Sequence, residues 1–147
     1  MKGAIHISTL TKAITLAALH HDGQTDKGGN PYILHPLRLM LQAVTDEERI
    51  VALLHDIVED TPITLDDLQA EGFSSTIIAA IDCLTKRPIE PYEQFIKRIK
   101  GNDLARRVKI LDLEDNSDLT RIDSPSDEDH RRLEKYRKAL DALNIIS

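Results

Sequence analysis

The chain has 147 residues, 41% of them hydrophobic and 30% charged, the mix of a globular protein with enough chain to bury one core. Its net charge is −6, with three Tyr, two Phe, no Trp and no basic block, which excludes the basic or aromatic face that a nucleic-acid binder needs. The single Cys83 excludes an internal disulfide and fits a reducing cytoplasm, no apolar run nears the 18 residues of a membrane span, and "MKGAIHISTL" lacks a signal-peptide core.

Apolar residues at steps of three and four predict helices at about 7–22, 36–45, 46–58, 64–71, 74–84, 92–100, 102–121 and 127–143. Pro36 stands just inside the second, Thr64 caps the fourth, and Ser126 or Asp127 starts the last, with acids in its first turn. The one long irregular stretch is "GQTDKGGNPY", residues 23–32. Cys83 lies among Ile77, Ile78, Ile81 and Leu84, so it reads as a small buried hydrophobe. Strand-like alternation is nowhere sustained, and the expected class is all-α, a bundle of about seven or eight helices forming one domain over residues 1–147.

Three places carry chemistry. In "LLHDIVEDTP", residues 53–62, His55 and Asp56 project about 100° apart from one helix, and Glu59 and Asp60 follow each of them by one turn. Carboxylates at that spacing repel and are costly to bury without a partner, and a cation removes both penalties. A solvated helix end is the plain alternative for that motif taken alone. In "YILHPL" the proline pushes His35 out of the α region and holds it at a loop-to-helix junction. In residues 106–122 the apolar positions Val108, Leu111, Leu119 and Ile122 mark the buried side, and Asp112 adjoins it; Glu114 and Asp118 read as a solvated face. His20 and His21, at a helix end, read as surface residues. His35, His55, Asp56 and Asp112 make a mixed nitrogen and oxygen set that suits Mn, Fe, Zn or Co better than Ca or Mg.

Together "HDGQTDKGGNPYILHPL", "ALLHDIVEDT" and "VKILDLEDN" resemble, in order and spacing, the signatures of the HD-superfamily phosphohydrolases. The branch they are most similar to is the alarmone (ppGpp) 3′-pyrophosphohydrolase domain of stringent-response enzymes and the stand-alone small alarmone hydrolases. "AIDCLTKRPIEPYEQFIKRI" matches the region between the second and third motifs, and the likeness runs from about residue 10 to 140.

The resemblance implies an HD-domain helical fold and one divalent metal, manganese foremost, held by His35, His55, Asp56 and Asp112. It assigns Glu59 and Asp60 to the attacking water, and it implies a small nucleotide as partner, with no nucleic acid, no membrane and the oligomeric state open. Lys27, Asn116 and Arg121 are the candidates for phosphate or sugar contact, although each is equally a solvated surface residue. Two positions depart from the pattern. Asp26 stands where the alarmone hydrolases carry a base-stacking arginine, and Asp115 stands where their third motif has a histidine; both departures are expected to bear on substrate recognition. Three readings follow: an alarmone pyrophosphohydrolase, an HD phosphohydrolase acting on another nucleotide or a phosphorylated cofactor such as NADPH, and a metal-bound nucleotide sensor with little turnover. Glu59 and Asp60 argue against the sensor, because a binder has no use for a repelling acidic pair.

Overall fold

A computed structural model describes residues 8–144. Among them are α1 (Leu10–His20), α2 (Leu34–Gln42), α3 (Asp46–Leu54), α4 (Ile57–Asp60), α5 (Leu65–Ala70), α6 (Ser75–Leu84), α7 (Tyr92–Lys100), α8 (Asp103–Asn116) and α9 (Asp127–Asn144), with a 3₁₀ turn at Leu119–Arg121 before α9. No strand occurs among the described residues, only an isolated bridge between Thr25 and Pro31. The all-α expectation holds. Residue 7, the expected start of the first helix, and the N-terminal residues before it lie outside the described residues.

Short polar side chains set the helix starts. Thr9, Thr45, Ser74 and Asn102 each accept the first-turn N–H three residues on. Thr64 and Asp67 form a reciprocal capping box, and Ser126 does the same with Asp129, which makes Ser126 the cap of α9.

The core is built around α3, where Ile50, Val51, Ala52, Leu53 and Leu54 are all buried. The periodicity had suggested burial on one side only. A helix that is apolar all round belongs in the centre, and α3 indeed packs against α1, α2, α6 and α8. Ile57, Ile81, Ile99, Val108 and Leu143 close the core around it. Cys83 is half-buried against this cluster.

Three differences from the expected helices shape the site. The helix expected over 46–58 stops at Leu54 and restarts at Ile57, because Asp56 sits at φ −103°, ψ 0° and His55 Nδ1 lies 2.6 Å from the Ala52 carbonyl. His55 and Asp56 therefore lie in the break between α3 and α4. His35 is not held outside the helix by Pro36; it lies in the first turn of α2, its N–H donating to Tyr32 and its ring gripped on both sides by carboxylates from α8. Those contacts outweigh the modest pre-proline bias. The helix expected over 102–121 ends at Asn116, where the Ser117 hydroxyl donates to the Leu113 carbonyl, and Asp118 then caps the following turn through Thr120. Leu111, Leu119 and Ile122 are accordingly only half-buried, and the buried stripe of α8 runs Ala105, Val108, Asp112, Asp115.

Candidate functional site

Three elements meet at the site: the first turn of α2, the α3–α4 break, and the last two turns of α8. His35 and His55 are 5% and 3% exposed, and their rings stand 5.4 Å apart. His35 Nδ1 lies 2.6 Å from the Asp115 carboxylate, and His55 Nδ1 lies 2.6 Å from the Ala52 carbonyl. Both outer partners accept, so each ring carries a proton on Nδ1 and turns Nε2 inward. His35 Nε2 is 2.8 Å from Asp112 Oδ1, and His55 Nε2 is 3.3 Å from that oxygen and 3.1 Å from Asp56 Oδ2. One donor atom each from His35, His55 and Asp56 lie within 4.8 Å of one another, close enough to hold one ion. Asp112 Oδ1 closes the same space from α8. Three of the four residues singled out as ligands, His35, His55 and Asp56, are therefore brought together, and the fourth, Asp112, meets both imidazoles from α8. Two inward Nε2 atoms with their Nδ1 protons committed, beside two carboxylates, fit a divalent cation.

The buried charges of the cluster compensate one another. Burial pushes Asp112 upward, but the Lys109 ammonium and the two imidazoles outweigh it and hold it well below the usual carboxylate range. Burial acts the same way on Asp56, and His55 reverses it, bringing Asp56 to about 2. For the imidazoles burial works downward, and the hydrogen-bonded carboxylates win, raising His35 and taking His55 well above its ordinary value.

Glu59 and Asp60 sit on α4, at the exposed side of the break. Burial and the Asp56 charge push both upward; the backbone N–H of Lys86 works against this on Glu59, to which it donates. Asp26, Lys27, Asn116 and Arg121 all line one cavity of about 400 Å³ whose wall also includes His35 and Tyr32. Asn116 does more than line it, since its Nδ2 donates to Asp112 Oδ1 at 3.2 Å. Asp26 accepts from the N–H of Asn30 at 2.9 Å, fixing the turn of its own loop. Gly29 takes φ +82° in that turn, and a Cβ on Gly28 would meet the Arg121 carbonyl at 2.6 Å, so glycine lets the loop approach the 3₁₀ turn.

Sequence reasoning missed several residues. Asp115 was read as a departure bearing on substrate recognition; it is 7% exposed and bound to His35, Arg38 and Arg121. Lys109 is held on Asp112 Oδ2 at 2.8 Å, and the Tyr32 hydroxyl donates to Asp56. His21, expected at the surface, is 1% exposed, its ring tilted against that of Tyr32 with centroids 5.0 Å apart, and bonded to Gln24. A signal existed for some of these: Lys109 precedes Asp112, and Arg38 follows His35, by three residues on the same helical face.

No protein-family model matches the chain. In sequence it is 30% identical, over 96% of its length, to the bifunctional (p)ppGpp synthase/hydrolase SpoT of Escherichia coli K12, of which it covers 21%. It is 33% identical over 77% of its length to the guanosine-3′,5′-bis(diphosphate) 3′-pyrophosphohydrolase of Aquifex aeolicus, and 37% identical over 54% of its length to that of Vibrio cholerae, covering 17% and 12% of them. The chain thus spans about a fifth or less of the curated relatives it matches. Its fold is shared with a solved structure described as a metazoan ortholog of SpoT that hydrolyzes ppGpp, at a TM-score of 0.71 and 19% identity, over 92% of this chain and 85% of that one. Fold and motifs together resemble an HD-type helical domain. Among such domains the chain resembles the alarmone hydrolases.

Proposed function

We propose that this chain is a metal-dependent phosphohydrolase that cleaves a phosphate or pyrophosphate ester of a nucleotide, with guanosine-3′,5′-bis(diphosphate) as the foremost substrate. His35, His55, Asp56 and Asp112 hold one divalent ion, Mn²⁺. The observation that carries the reading is the pair of Nε2 atoms turned inward beside two carboxylates, at the edge of a nucleotide-sized cavity. When bound, such an ion acidifies a water and polarises a phosphoryl oxygen.

The chain's own groups supply the rest. Asp60, pushed upward by burial and by Asp56, is a carboxylate moved towards the range of a working base, and with Glu59 it receives the water's proton. Asn116 fixes Oδ1 of Asp112, and the Lys109 ammonium balances the charge at Oδ2 while the ion is absent. Tyr32 fixes Asp56. Lys27, exposed on the glycine loop that lines the cavity, meets the substrate's phosphates. The names of the relatives support ppGpp in particular.

One observation favours a second reading. The Asp26 carboxylate lines the cavity where a base-stacking cation would serve an alarmone, and this points to a different nucleotide or a phosphorylated cofactor such as NADPH. Phosphate and pyrophosphate release with added Mn²⁺, measured across ppGpp, common nucleoside phosphates and NADPH, separates the two. Highest kcat/KM on ppGpp supports the first reading and highest kcat/KM elsewhere the second. No Mn²⁺-dependent release from any of them overturns both.

A further inference from the structure

Arg38 and Arg121 line the cavity, as phosphate ligands would. Their hydrogen bonds give them another task. Arg38 holds Asp115 with both arms of its guanidinium, Nε at 2.8 Å from Oδ1 and Nη2 at 2.9 Å from Oδ2. Arg121 Nη2 reaches the Asp115 carbonyl at 2.6 Å and its carboxylate at 3.4 Å, while Nη1 holds Asp118 at 3.0 Å. The carboxylate so held is 4% exposed, and its Oδ2 accepts the Nδ1 proton of His35 at 2.6 Å.

We propose that Asp115, clamped by Arg38 and Arg121, is a positioning residue for the metal ligand His35, so that these two arginines serve the metal centre and not the substrate's phosphates. The inference rests on the metal-centre reading above. A two-pronged guanidinium fixes the plane of the carboxylate, and the carboxylate then fixes the tautomer and rotation of the imidazole. A phosphate that took Arg38 Nε and Nη2 would break that fork and leave the buried carboxylate to Arg121 as its one cation. This also explains why an acid stands at position 115. On the buried stripe of α8 it faces a histidine and an arginine from one turn of α2, and it alone satisfies both.

The test measures Mn²⁺ affinity of the full chain, a quantity that needs no substrate. Asp115→Asn keeps the shape, yet its amide can donate to the ring as readily as accept. It is expected to weaken Mn²⁺ binding by about 10–100-fold, the usual consequence of losing an outer partner of a metal-bound histidine. Arg38→Met should weaken it by about tenfold and Arg38→Lys by less, with KM at saturating Mn²⁺ changed less than twofold. Folding of each variant is checked by circular dichroism, and should Asp115→Asn fail to fold, Arg38→Lys carries the test. Variants that bind Mn²⁺ as wild type does, whether or not they melt earlier, overturn the proposal and leave the metal centre standing. So does an Arg38→Met that raises KM tenfold at unchanged Mn²⁺ affinity, which makes the arginine a phosphate ligand. A wild type that binds no Mn²⁺ overturns the metal centre and this proposal together.

Discussion

Replacing Lys109 by methionine isolates the charge that balances the ligand cluster. The Lys109 ammonium lies 2.8 Å from Asp112 Oδ2, with side chains 14% and 7% exposed, and it rests 5.4 Å from the Phe95 ring centroid. Methionine keeps the length and the apolar stem and deletes only the charge. Breaking a buried ion pair from one side costs about 3–5 kcal/mol, since the other charge is left without compensation. Asp112 retains His35, His55 and Asn116, so the expected loss is at the low end, about 3 kcal/mol. At 2–4 °C per kcal/mol for a chain of this size, Tm should fall by about 6–12 °C in the presence of EDTA. With saturating Mn²⁺ the fall should be smaller, because the ion brings its own positive charge to Asp112. Mn²⁺ affinity itself should rise, a repelling neighbour having been removed. Thermal unfolding followed by circular dichroism, with and without Mn²⁺, together with a Mn²⁺ titration, reads all three. An equal loss in both conditions, or weaker Mn²⁺ binding, refutes the view that Lys109 stands in for the ion.

The metal-free protein should also have a telling pH profile. Burial opposes the charge on His35 and His55, yet their carboxylate partners raise both above 6.5, so the stability they add is complete below about 6.5 and is lost as pH rises through their folded values. Burial likewise opposes Asp56, but His55 holds it at about 2, so its contribution is present above about 3.8 and is lost as pH falls towards 2. Unfolding in EDTA should therefore show an optimum between those limits, and Mn²⁺ affinity should climb with pH as it displaces the imidazole protons; stability that stays flat from weakly acid to alkaline pH would contradict the ligand electrostatics. Glu59→Gln combined with Asp60→Asn should lower turnover by about a hundredfold or more with Mn²⁺ retained, and unchanged turnover assigns the pair to a solvated helix end. Asp26→Asn keeps the hydrogen bond that fixes its loop and removes a charge facing the phosphates. At about 1 kcal/mol for one such contact in a watery setting, KM for ppGpp should drop about fivefold, and an unchanged or higher KM means that Asp26 works for the bound nucleotide.

Much of the candidate site is legible in the sequence, for a reason that lies in chemistry. His55 and Asp56 inside an apolar run and Asp112 flanked by leucines are polar groups where burial is expected, whereas His35 is marked by its place before a proline at a loop-to-helix junction. A buried polar group needs a partner, so each pointed to something it must meet. The resemblance then tied the four together. What stayed hidden were the partners of those partners. Lys109, Arg38, Arg121 and Asp115 look like the ordinary charges of solvated helices, and a charged residue gives no sign in the sequence of whether it will be buried.

The helical class and the capping residues Thr64 and Ser126 are local matters. Hydrogen bonds within four residues and the 3.6-residue period decide them, and the sequence holds all of that information. The break at His55–Asp56, the placement of His35 within α2 and the burial of Asp115 were settled only when α2, α3 and α8 packed together. Asp115 contacts His35 across 80 residues of chain, and Asp112 contacts His55 across 57. No periodicity spans such distances, because the contact depends on how three helices cross in space. The ligand types were therefore written along the chain, while the charge network that aims them belongs to the tertiary structure.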